Sequence, residues 1–192
     1  MTTQERIANI ESFLNKEVEK QQAEELQFQK QFQTEVKMVE SIQPKIKELL
    51  EVARACRKNK INLFVNDVSN GFGHKNSFFA DAILHKVGFI TDRNTKQIVG
   101  VGIMGGGCCG IRDLIVTESE ILYQYRDTPN QAYAVEKFAP KTYNKQIDYT
   151  VRLERFAAMY PNFEKLFYDY VDGVCSGKYA NGSDSVFHKK GE

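Results

Sequence analysis

Residues 83–104 read ILHKVGFITDRNTKQIVGVGIM, and the pattern of this stretch decides the fold. Ile83 to Thr91 and Gln97 to Met104 each read as a β-strand, and DRNTK between them is a turn by composition. Strands so close in sequence pair antiparallel, because a parallel pair needs a long crossover. Downstream, Arg112–Thr117 and Glu120–Tyr125 form a second hairpin around Glu118 and Ser119. Upstream, Ile61 to Val65 is a short β-rich run ended by Asn66, Asp67, Ser69, Asn70 and Gly71. The middle of the chain is thus expected to be a meander of four or five strands.

Helices flank it. Apolar residues at Ile7, Ile10, Leu14 and Val18, then Leu26, Phe28, Phe32, Val36, Val39, Ile42, Ile46, Leu49 and Ala53 follow steps of mostly three and four. Glu, Lys and Gln fill the other face, and all favour helix. One helix from Glu5 to Gln43 would be about 57 Å long, more than a domain of this size can cover, so part of it must project or pair. EKQQAEE at 19–25 interrupts the apolar seam, and strict heptads are not sustained. Proline clashes inside a helix, so Pro44 predicts a break or kink near Ser41–Pro44, with a second helix from Pro44 to about Lys58. Arg54, Arg57 and Lys58 suit its negative end, and Asn59 suits a left-handed cap.

Thr128 and Pro129 give a helix-start signal, Thr142–Tyr160 has helical apolar spacing, and Pro161 opens a further helix closed by Gly173. Helix, antiparallel sheet and helices make an α+β fold. The expected organisation is residues 1–58 as a helical, coiled-coil or hairpin segment, 59–175 as an α+β domain, and 176–192 as a flexible tail.

Charge narrows the functional classes. The chain has 26 basic and 25 acidic residues, and no third of it carries a surplus of either sign. A nucleic-acid binder usually shows a basic face, so phosphate-backbone binding is not expected. No apolar run reaches the ~18–20 residues of a membrane span, and the N-terminus lacks a signal-peptide layout, so a cytoplasmic protein with no membrane partner is expected. Cys56, Cys108, Cys109 and Cys175 are expected to be thiols.

The stretch Gly100 to Gly110, GVGIMGGGCCG, is the most unusual. Gly100, Gly102 and Gly105 fit G-x-G-x-x-G, but a dinucleotide site needs that motif to open a helix, and here another strand follows. The structural alternative is that Gly105, Gly106, Gly107 and Gly110 supply positive φ or close backbone approach, with Cys108 and Cys109 buried beside them. Free amides in such a loop could also cradle an anion or carboxylate. A cysteine nucleophile would need a base and an orienting group, and His85 with Asp81 supplies those residue types. Adjacent cysteines point to opposite sides of an extended chain, so no metal site is expected. No cofactor is implied.

The leading expectation is a non-enzymatic protein-binding or oligomerisation module acting through residues 1–58. An accessory or inhibitor protein of a mobile element would share this anatomy, although no residue supports it specifically. A small cysteine-dependent enzyme, or a nucleotide or anion sensor, is the alternative; either would use loop 105–110.

Overall fold

A computed structural model describes residues 2–63, 87–92, 95, 97–104, 110–126, 134–138 and 152–181. The order is helix α1 (Thr3–Lys58), strands β1 (Val87–Thr91), β2 (Ile98–Met104), β3 (Gly110–Val116), β4 (Ile121–Arg126) and β5 (Ala134–Lys137), then helix α2 (Leu153–Cys175). This is the expected α+β class. The chain divides into two units, Met1–Val36 and Lys37–Glu192, and α1 runs through both.

In the first unit, Thr2 and Glu5 form a reciprocal capping box. Thr2 N–H donates to Glu5 Oε2 at 2.6 Å, and Glu5 N–H donates to Thr2 Oγ1 at 3.2 Å. Every residue from 2 to 27 is exposed. Phe32 and Glu35 are buried, and Gln31 Nε2 donates to Glu35 Oε1 at 2.9 Å.

In the second unit α1 continues through Pro44, which corrects the expected interruption of the helix. Pro44 has no N–H for the Glu40 carbonyl, but Val39, Ile46 and Leu49 on either side are fully buried. Packing on both flanks holds the helix where propensity alone would end it. The same holds for α2. It is one helix through Pro161, anchored by buried Phe156, Tyr160, Phe163 and Phe167, where two helices were expected.

The sheet has the order β1-β2-β3-β4-β5, each neighbour antiparallel, as the meander predicts. The first turn is closed by Asp92, whose Oδ1 accepts from Thr95 N–H at 2.7 Å. Thr117 Oγ1 does the same for Glu120 N–H at 3.0 Å in the β3–β4 turn. Strand β5 falls where helices were expected to return, and it pairs along β4 from Leu122↔Lys137 to Tyr125↔Ala134. Ile61 to Leu63 are not strand, which corrects the start of the expected β-run.

Phe89 of β1 meets Phe163 and Phe167 of α2 edge-on, with ring centroids 5.3 and 5.1 Å apart. That aromatic contact is the favoured T-shaped geometry and seats α2 on the sheet. On the opposite face of the sheet, Ile90 lies across Gly102: a β-carbon on Gly102 would sit 2.5 Å from Ile90 Cδ1 and 2.3 Å from the Leu114 carbonyl oxygen. Tyr160 is buried and its hydroxyl reaches Glu164 Oε1 at 3.4 Å. Burial, with the Glu164 carboxylate next in weight, pushes the Tyr160 phenol far above its ordinary range.

Both helices end in the same way. Lys60 N–H donates to Arg57 O and Ile61 N–H to Cys56 O, at 3.1 and 2.8 Å, while Gly177 N–H donates to Val174 O and Lys178 N–H to Gly173 O, at 3.1 and 2.8 Å. These are Schellman turns. Their left-handed residues are Lys60 and Gly177; the expected left-handed cap, Asn59, falls one residue before the first, and α2 runs past Gly173, where it was expected to close. Gly173 lies inside α2, where a β-carbon would fall 1.9 Å from the Tyr179 ring. Asn181, within the expected tail, hydrogen-bonds to the segment that follows α1. Asn181 Oδ1 accepts from Asn62 N–H at 2.8 Å, and Asn181 Nδ2 donates to Lys60 O at 2.9 Å. Arg54 does not serve the helix end; its Nε donates to Ile98 O at 3.2 Å, and its guanidinium pairs with Glu118.

Candidate functional site

Asp81, His85, Gly105, Gly106, Gly107, Cys108 and Cys109 lie outside the described residues. Gly110 opens β3, opposite Arg126 of β4. Gly100 and Gly102, by contrast, are placed within β2. Gly100 lies against the Val116 carbonyl oxygen, 2.6 Å from where its β-carbon would be. Two glycines of the G-x-G-x-x-G match therefore serve strand packing. They do not open a helix, which removes the dinucleotide reading of that motif. Of the cysteines, Cys56 is buried and Cys175 exposed, and both are free. Burial, reinforced by Cys175 nearby, pushes the Cys56 thiol up, so Cys56 is a poor nucleophile.

The described residues instead concentrate unexplained surface on the first unit of α1. Ile7 is 51% exposed, Ile10 59%, Phe13 63%, Leu14 54% and Val18 50%. Helical residues advance by 100°, so these five fall within an arc of about 140° and along about 17 Å of the axis. Ala8, Asn9, Glu11, Ser12, Asn15 and Lys16 occupy the rest of the circumference, Glu17 falls within the arc beside Phe13 and Leu14, and Gln21, Glu24 and Glu25 close the stripe on its C-terminal side. Leu26, 55% exposed, stands off the arc. The spacing in the sequence predicts four of the five. It does not single out Phe13, because Leu14 already satisfies the step from Ile10, yet Phe13 is the most exposed of the group and widens the stripe.

Such an arc can do no bond-making chemistry. It can exclude water against a complementary apolar surface, with the flanking charges setting orientation. Among the described residues no group of three or more His, Cys, Asp or Glu side chains could hold a metal ion, and no helix is long and apolar enough to cross a membrane. An open groove of about 570 Å³ beside the end of α2 is lined by Asp169, Asp172, Gly173, Ser176, Lys178 and Tyr179. Among its described lining residues, Ser176 Oγ donates to the Gly173 carbonyl oxygen at 3.2 Å. No family model, curated protein or solved structure matches the chain.

Proposed function

We propose that this chain is a non-catalytic protein-binding module whose docking surface is the Ile7–Val18 face of α1. The observation that supports it is five large apolar side chains, in helical phase, each at least half exposed. A single exposed leucine needs no explanation, but a contiguous apolar patch on one face is a common mark of an interaction site. Anchors at i, i+3 and i+7, here Ile7, Ile10 and Leu14, are the pattern by which an amphipathic helix seats against a protein.

The test uses a photo-crosslinking amino acid placed in the full chain at position 13, on the face, or at position 12, on the opposite side of the same turn. Irradiation in a native lysate should give discrete adducts from position 13 and none from position 12. Adding Leu14→Glu to the position-13 protein should remove them, while leaving the melting midpoint unchanged because Leu14 is exposed. Equal labelling from both positions, unaffected by Leu14→Glu, would overturn the proposal.

A further inference from the structure

We infer that the occupant of this face is a second copy of the chain, aligned parallel and in register; this rests on the docking reading above. With Ile7 taken as the a position of a heptad, Ile10 is d and Leu14 the next a. The flanking g positions are then Arg6, Phe13 and Lys20, and the e positions are Glu11, Val18 and Glu25. In a parallel pair each g residue faces the e residue five positions later on the other helix. Arg6 meets Glu11 of the second copy, Phe13 meets its Val18, and Lys20 meets its Glu25. Two opposite-charge contacts flank one apolar contact, and each occurs twice by symmetry.

The antiparallel alternative is disfavoured by the same residues. Matching Ile10 to Leu14 of the second copy brings g against g and e against e. Arg6 then faces Lys20, and Glu11 faces Glu11. The alignment that buries the stripe antiparallel is the one that juxtaposes like charges.

The pairing is also limited in length and strength. Glu17 and Glu24 occupy the next two d positions, and Gln21 the next a, so the a/d seam ends at Leu14, with Val18 flanking it at e. Each half-exposed side chain offers on the order of 100 Å², giving roughly 500 Å² per copy. A standard stable interface buries about 800 Å² per partner, so association in the range of tens of micromolar is expected.

Sedimentation equilibrium of the full chain tests this with Arg6→Glu and Glu11→Lys. Both positions are exposed, so folding is not at stake. Each variant alone should associate about tenfold more weakly than wild type, because attractive contacts become repulsive. An equimolar mixture should regain wild-type association. In the mixed pair the carboxylate introduced at position 6 of one copy faces the ammonium introduced at position 11 of the other, and the unaltered Arg6 faces the unaltered Glu11. Tighter association of Arg6→Glu would overturn the parallel alignment, because an antiparallel pair would gain a contact with Lys20. A wild-type chain that stays monomeric would overturn the second copy as occupant. The docking face itself would still stand if position 13 crosslinks another protein and position 12 does not, so the two failures are distinguishable.

Discussion

Lys60 holds a φ of 60°, a left-handed conformation that crowds a β-carbon against the following carbonyl. Its N–H and that of Ile61 close the end of α1, so the conformation is required by the turn. Glycine meets the requirement without strain, as Gly177 does at φ 74° in the corresponding turn of α2. Lys60→Gly is expected to raise stability by about 0.5–1 kcal/mol, read as a later urea midpoint with an unchanged slope. An earlier midpoint would show that the Lys60 side chain contributes more than its backbone costs. Gly102 argues in the opposite direction. Any β-carbon there meets a backbone oxygen of β3 and Ile90 together, and backbone does not yield as a side-chain tip would. Gly102→Ala should cost about 1–3 kcal/mol by overpacking, measured by the same melt. An unchanged midpoint would mean that β2 and β3 separate freely at that point. The residue scale is also where the sequence reads least well. A Schellman turn counts from the last helical residue, and propensity places that residue only to within one or two positions. Asn59 is favoured by its tolerance of the left-handed region, and the geometry passes it by one.

Elements were legible wherever local chemistry and tertiary packing agree. The four strands from Val87 to Arg126 declare themselves by β-forming runs separated by Asp–Thr and Thr–Glu turns, and the side chains of those turns hydrogen-bond as their composition predicts. Strand β5 is four residues long and gains its definition from pairing with β4, a long-range contact that leaves little trace in Ala-Val-Glu-Lys itself. The two prolines mislead for the converse reason. Each is a strong local stop signal, and each is overridden by apolar residues packed on both sides. Pro44 still lacks the hydrogen bond to Glu40 and crowds that carbonyl. Pro44→Ala is therefore expected to stabilise the chain by about 1–3 kcal/mol, part of the usual penalty of an interior proline. Urea unfolding checks it. No gain would mean that α1 bends at Pro44 to fit its neighbours and that a straight helix packs worse. The apolar stripe of α1 was legible from spacing alone, except for Phe13. The Gly-Cys loop was the other sequence candidate, and its cysteines stay testable by alkylation against Cys175 as the exposed reference and Cys56 as the buried one.

For the molecule as a whole, the division of labour along α1 sets the last prediction. Residues 2–27 are all exposed, whereas Phe32, Val39, Ile46, Leu49, Leu50 and Ala53 are buried. Removing residues 1–27 therefore removes no described buried side chain. An isolated helix of that length is marginal in water, so it adds little to folding on its own. A chain beginning at Phe28 should melt within about 2 °C of the full chain in dilute solution, because it keeps every described buried side chain. Raising the concentration separates the two. Anything that binds the folded state alone raises its midpoint by mass action, so the full chain should melt higher as its own concentration rises through tens of micromolar. The shortened chain has lost the stripe and should show a midpoint independent of concentration. Differential scanning calorimetry at two concentrations gives all four values. A large drop for the shortened chain in dilute solution would show that residues 1–27 cover part of the fold, and a concentration-independent midpoint for the full chain would remove self-association as their role.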